Sequence, residues 1–186
     1  MHNFSKKKQD PSQFGKTQVV HVLGNGPSVK CFETNLFHTQ PEDGVLVSCN
    51  WGHPHLNCVF TSCDTRFILK LCELEIPFTT PIVYPHNRVN KINELTRNPH
   101  HLKKLNITLA PKRWRNLGVS SGHFAVQTVL IWYQPSTIHL WGIDSFWTND
   151  RTSIHDTDMG KIAPLQHLWN DNWIKIFYLN PKTQFV

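Results

Sequence analysis

No apolar run in this 186-residue chain approaches the roughly 20 residues a helix needs to cross a membrane. Charge is sparse as well: Asp, Glu, Lys and Arg together make up 17% of the residues, against 39% hydrophobic. That balance provides a core and excludes wholesale disorder. No CxxC pair occurs, and the five cysteines (Cys31, Cys49, Cys58, Cys63 and Cys72) are odd in number. Neither a disulfide framework nor a zinc ribbon is implied, and reduced thiols of a cytoplasmic protein are the simplest account. The twelve histidines lack partners at ligand spacing, so no structural metal site is expected. No internal repeat and no low-complexity linker divides the chain, which is too short for two domains of ordinary size. The stretch 1–16 is polar, carries Lys6-Lys7-Lys8 and has no apolar centre, so it reads as a flexible basic tail and not as a secretory signal. One domain is expected over 17–186.

What the chain does have is a series of short apolar runs. Thr17–Leu23 (TQVVHVL), Val45–Cys49 (VLVSC), Leu56–Thr61 (LNCVFT), Pro81–Tyr84 (PIVY), Asn106–Leu109 (NITL), Thr137–Trp141 (TIHLW) and Trp173–Leu179 (WIKIFYL) read as strands. Between them, apolar positions 67, 68, 71 and 74 have helical spacing, Asn87–Asn98 reads as a polar helix, and His123–Tyr133 (HFAVQTVLIWY) is the strongest helix. Ser120 or Ser121 can cap that helix and Pro135 ends it. Lys161–Asn170 reads as the last helix, with Pro164 in its first turn. Strands that are continuous apolar runs, alternating with helices, predict a single α/β domain. It is Rossmann-like, with a mostly parallel sheet of six or seven strands, helices on both faces and a short polar lid over about 145–160.

In such sheets ligands bind beyond the carboxyl ends of the strands. The residues to watch are therefore Gly24-Asn25-Gly26-Pro27-Ser28 after the first strand and Asn50 after the second. Asp64 follows the third strand, and Gly142 and Asp144 follow the sixth. The glycine loop lacks the third glycine of a dinucleotide fingerprint and the Gly-Lys-Ser/Thr of a Walker loop. Two glycines would still allow close approach to a phosphate, and a tight strand-to-helix turn without a ligand is the plain alternative. Asn50 stands where a dehydrogenase carries Asp or Glu for the ribose, which argues against a nicotinamide cofactor. Ser120, Ser121 and Gly122 head the strongest helix, where exposed amide groups can hold an anion or simply form a cap. Asp144 could bind a ligand or its own loop. His155, in the polar stretch, is a candidate general base. Asp156 and Asp158 have metal-motif spacing but lie in the expected lid.

The net charge of +6, from 19 basic and 13 acidic residues, suits an anionic partner as well as plain solubility. Nucleic acid is not expected as that partner, and self-association is left open.

Several segments together resemble the bacterial lipooligosaccharide sialyltransferases. They are HVLGNGPSVK at His21–Lys30, SCN at Ser48–Asn50, VSSGHFAVQTVL at Val119–Leu130, IHLWGIDSFW at Ile138–Trp147 and IKIFYLNP at Ile174–Pro181. The resemblance implies a transferase that moves a sugar, sialic acid in that family, from a CMP sugar to a glycan acceptor hydroxyl. It does so by metal-independent in-line displacement, with the nucleotide sugar as substrate and no further cofactor. Counting back from the segment Ile174–Pro181, His155 falls at the family's general base. The two tyrosines that hold the leaving phosphate in that family are replaced near Phe146 and Thr152. Trp147, Arg151 or Thr152 could take their role, although a ring without a hydroxyl cannot donate a hydrogen bond to phosphate, and Arg151 is the candidate. The same pattern is similar to pterin pyrophosphokinase-like and flagellin-glycosylation proteins. Two alternatives follow: a Mg-dependent diphosphotransferase using Asp64, Asp144, Asp156 and Asp158, or a catalytically degenerate protein that binds a nucleotide or a partner.

Overall fold

The computed structural model of the chain describes residues 17–31, 44–50, 59–75, 81–110, 119–144 and 166–186. Seven strands form one sheet: β1 (Val19–Leu23), β2 (Gly44–Cys49), β3 (Val59–Thr61), β4 (Ile82–Pro85), β5 (Ile107–Ala110), β6 (Thr137–Trp141) and β7 (Gln184–Phe185). Their order is β5-β4-β3-β2-β1-β6-β7, and every pairing is parallel. Among the described residues five α-helices accompany them: α1 (Thr65–Glu73), α2 (Val89–Leu95), α3 (Pro99–Lys104), α4 (Ser121–Trp132) and α5 (Trp169–Leu179). The expected Rossmann-like architecture is therefore present, with the sheet parallel throughout. Among the described residues no helix is long and apolar enough to cross a membrane. The expected tail (1–16), the expected lid (145–160), positions 56–58 of the third run and positions 161–165 of the last expected helix lie outside the described residues.

Strands β1 to β6 send alternate side chains into two separate cores, as a sheet buried on both faces must. On one face Val20, Val22, Val47, Cys49, Val83 and Ile138 pack against Phe124, Ala125, Val126 and Val129 of α4 and Trp173 and Ile176 of α5. On the other, Leu23, Leu46, Phe60, Ile82 and Tyr84 meet Phe67, Ile68 and Leu71 of α1, Val89 and Ile92 of α2 and Leu102 of α3. The chain steps outward from β1 to β5, then crosses to the far side of β1 to lay down β6. Right-handed crossovers running in opposite directions place their helices on opposite faces. That explains why α1 to α3 share one face and α4 and α5 the other.

Two elements differ from the sequence reading. Trp173–Leu179, expected as the last strand, belongs to helix α5. Buried Trp173 and Ile176, with half-buried Phe177, make an i, i+3, i+4 face, while Ile174, Lys175, Tyr178 and Leu179 are exposed. A short run this rich in apolar residues fits either period, and packing on the sheet selects the helical one. The last strand is instead the two-residue β7. A third helix, α3, begins at Pro99 behind an Asn98 cap whose side chain accepts the His101 amide hydrogen, a start signal that the polar reading of this region passed over.

Candidate functional site

The strand order reverses between β1 and β6, so the switch-point crevice lies beyond Leu23 and Trp141. There the two loops close on each other. The Gly24 amide donates to the Trp141 carbonyl at 2.6 Å and the Gly26 amide to the Gly142 carbonyl at 2.9 Å. The Ser28 amide donates to Asp144 Oδ2 at 2.9 Å, and Ser28 Oγ accepts the Gly142 amide hydrogen at 3.1 Å. A Cβ on Gly24 would overlap the Gly142 carbonyl oxygen, and one on Gly26 would overlap the Asp144 carboxylate. Gly142 itself has φ +67°, a left-handed conformation that favours glycine. The glycines thus let two loops approach each other, and the amides of Gly26 and Ser28 are engaged inside that seam. Pro27 opens a short 3₁₀ turn, Pro27–Cys31, that carries the chain away. What the loop leaves over is Asn25, whose Oδ1 is buried with no hydrogen-bond partner among the described residues.

One strand further along, Asn50 ends β2 in the left-handed region at φ +51°. Its amide donates to the Thr61 carbonyl at 3.0 Å. Its Oδ1 accepts the Ser62 hydroxyl at 2.7 Å and the Ser121 hydroxyl at 3.1 Å. Ser62 Oγ in turn accepts the Asp64 amide hydrogen at 3.0 Å, which leaves the hydroxyl proton for Asn50. Two hydroxyls therefore fix the carboxamide, and its Nδ2 meets no acceptor among the described residues. Asp64 caps α1 by accepting the Arg66 amide hydrogen at 2.9 Å. Cys49 and Cys63 are buried thiols that line the cluster. Cys63 Sγ lies 3.6 Å from Ser121 Oγ, and burial pushes its thiol pKa up. Arg88, in the turn after β4, donates to the Cys63 carbonyl and makes no ion pair among the described residues.

Ser120, not Ser121, caps α4: it accepts the His123 amide hydrogen, and the His123 ring reaches back to the Ser120 amide. Gly122 lets α4 start close to Ile143 and Trp173, because a Cβ there would sit 3.0 Å from Ile143 Cδ1. His123 is fully buried, and its partners set its tautomer. Nδ1 accepts the Ser120 amide hydrogen at 3.1 Å, so Nε2 carries the proton and donates it to the Trp169 carbonyl at 3.0 Å. Burial lowers its pKa to about 4, opposed by that bond to Trp169. The imidazole is thus a neutral strut between α4 and α5. On the opposite face of β1 and β6, His21 stacks on His139 with ring centroids 4.8 Å apart. Burial, and then the charge of His139, brings the His21 pKa to about 4 as well.

The structure therefore brings Asn50, Ser62, Cys63 and Ser121 into one hydrogen-bonded group, and Ser120 and Gly122 into the adjoining helix start. Gly24, Gly26, Ser28, Gly142 and Asp144 form a second group around the loop seam. Asp64 and Asp144 stand at the ends of β3 and β6. Three strand spacings, roughly 14 Å, separate those strands in the sheet. His155 and Arg151 lie outside the described residues, as do Asp156 and Asp158. The segment from which His155 is counted is helix α5 and not a strand. Arg88 was not singled out from the sequence; it follows a readable strand, and the strand-end rule extended to β4 would have reached it. From the sequence His123 is only the first residue of the strongest helix, because its partner Trp169 lies 46 residues away.

No protein-family profile matches this chain, and the curated proteins compared with it show no significant similarity.

Proposed function

We propose that this protein binds a nucleotide-activated sugar at the carboxyl edge of its sheet and transfers the sugar to an acceptor hydroxyl, with a CMP sugar as donor. The observation that carries the reading is the fixed carboxamide of Asn50. It stands at a strand end, beside the start of α4, with its Nδ2 donors open. A side chain held this way is preorganised to meet an acceptor, as a base carbonyl or a ribose oxygen offers. Arg88, which makes no ion pair among the described residues at the same edge, supplies the positive charge that a nucleotide phosphate calls for. Asn25, whose buried Oδ1 meets no donor among the described residues, offers an acceptor for a ligand hydroxyl or amine.

In this reading the acceptor oxygen bonds to the anomeric carbon as the carbon–oxygen bond to phosphate breaks. CMP leaves with the electron pair, and the acceptor proton passes to a base. The family resemblance assigns that base to His155, and Arg151 is the candidate for the leaving phosphate in place of the family's two tyrosines. The diphosphotransferase alternative gains nothing from Asp64 and Asp144: Asp64 caps α1, Asp144 accepts the Ser28 amide hydrogen across the loop seam, and three strand spacings set them too far apart to share one Mg²⁺.

A thermal-shift series with CMP, CDP, UDP, GDP and ATP, with and without Mg²⁺, tests the reading. CMP should raise the melting temperature without metal, since a ligand that binds only the folded state stabilises it by mass action. Equal melting curves with and without CMP would overturn it. His155→Ala should keep CMP binding and lose about 10²–10⁴-fold in transfer rate. Full transfer by that variant would place the base elsewhere.

A further inference from the structure

Asn25-Gly26 is the only Asn-Gly pair in the chain. Such a pair carries its own nucleophile and electrophile. The amide nitrogen of the second residue can close on the asparagine Cγ, and a glycine there puts no Cβ in the way. In this fold that nitrogen is held. The Gly26 amide donates to the Gly142 carbonyl at 2.9 Å. Ser28 closes the same seam, its amide donating to Asp144 Oδ2 and its hydroxyl oxygen accepting the Gly142 amide hydrogen. The Asn25 carboxamide has no such anchor: its Oδ1 is buried and meets no donor among the described residues. The seam, and not the side chain's own bonding, keeps the pair from reacting.

We infer that Asn25 is a self-modification site gated by the loop seam, which deamidates when the two loops part. Solvent base takes the Gly26 amide proton, and the nitrogen bonds to Asn25 Cγ. The Cγ–Nδ2 bond breaks, and Nδ2 leaves as ammonia with a proton from water. A five-membered imide remains. Water then breaks one of its two carbonyl–nitrogen bonds, which leaves aspartate or isoaspartate at position 25. The net change consumes one water and releases one ammonia. Neither product suits the closed seam. A carboxylate sets a charge where Oδ1 is buried without a donor among the described residues. Isoaspartate adds a methylene to the main chain just before Gly26, where even a Cβ would overlap the Asp144 carboxylate. Each conversion therefore favours the open seam, and nothing in the reaction reverses it. The inference holds whatever the candidate site binds, although the change falls on the loop of that site.

Peptide mapping by mass spectrometry after long, warm incubation at mildly alkaline pH tests the inference. Position 25 of the folded parent should convert about a hundredfold more slowly than in the same chain unfolded in urea, the protection that several seam hydrogen bonds provide together. It should still convert faster than the globally unfolded fraction allows, because the seam opens locally. Ser28→Ala and Asp144→Ala each remove one seam bond. At temperatures where they stay folded, each should convert about fivefold faster than the parent. Asn25→Gln should abolish the signal. Three results would each overturn the inference. The folded parent could convert as fast as the unfolded chain, its rate could merely track the globally unfolded fraction, or the folded seam variants could both keep the parent's rate.

Discussion

Gly26 faces the Asp144 carboxylate across the seam between two loops, and the fit leaves no room for a methyl group. Gly26→Ala should therefore cost about 1–3 kcal/mol as the loops part. Asp144→Asn, which still offers an oxygen to the Ser28 amide, should cost far less. Urea midpoints of the two variants check this, and equal midpoints would mean that the seam is soft. Asn50 allows its backbone role to be separated from its side-chain role. Asn50→Gly keeps the left-handed turn and removes the carboxamide, so it should fold normally and lose any CMP-induced melting shift. Asn50→Ala adds a backbone penalty of roughly 1–2 kcal/mol. His123 makes stability depend on pH. Its folded pKa of about 4 lies below the unfolded 6.5, so the unfolded chain binds the proton more readily. Stability is intact above pH 6.5, falls as pH drops toward 4 and levels off below that, by about 3 kcal/mol in all. His21 acts in the same direction. His123→Asn should be less stable than the parent at pH 8 yet flatter between pH 6.5 and 4. Chemical denaturation across that range would show an unchanged slope if the strut is not what titrates.

Among the elements, α5 shows most directly what a sequence of this kind conceals. In a strand, Trp173, Lys175, Phe177 and Leu179 would share one face. In the helix, Trp173 and Ile176 lie inward, while Ile174 and Leu179 lie outward. Ile176→Ala should then cost about 2–5 kcal/mol and Leu179→Ala well under one, measured where the protein is monomeric. The reverse order would restore the strand. The other six strands were legible because each apolar run is bounded by Gly, Pro, Asn or Asp and is too short to bury a helix face. The start of α4 was legible from its serines. The candidate site was legible to the extent that strand ends mark it, which located Asn50, the glycine loop and Gly142–Asp144. What those residues do there was not legible. Ser28 meets Asp144, and Ser121 meets Asn50, across 116 and 71 residues of chain. No local pattern reports whether a glycine makes room for a phosphate or for another loop.

At the scale of the molecule, the sheet ends in a strand of two residues, yet that strand covers the open edge of β6. The Val186 amide donates to the Ile138 carbonyl, the Val186 carbonyl accepts from Leu140, and the Phe185 ring lies 4.6 Å from that of Phe177. Removing 183–186 should lower the denaturant midpoint and increase aggregation through the bared edge. A midpoint equal to the parent's would make β7 a passive appendage. A second consequence follows from β1 at the centre of the sheet. Val19 pairs with Gly44 on one side and with Thr137 on the other. A ribosome delivers the first partner early and the second only when most of the chain has been made. Until then the central strand has one neighbour, the loop seam has one lip, and α4 has no finished surface to cover. A nascent chain stalled before Thr137 should be cut readily by protease, whereas one whose β6 and β7 have cleared the ribosome should resist. The central strand therefore completes its pairing only once β6 has left the tunnel, with later residues closing around earlier ones.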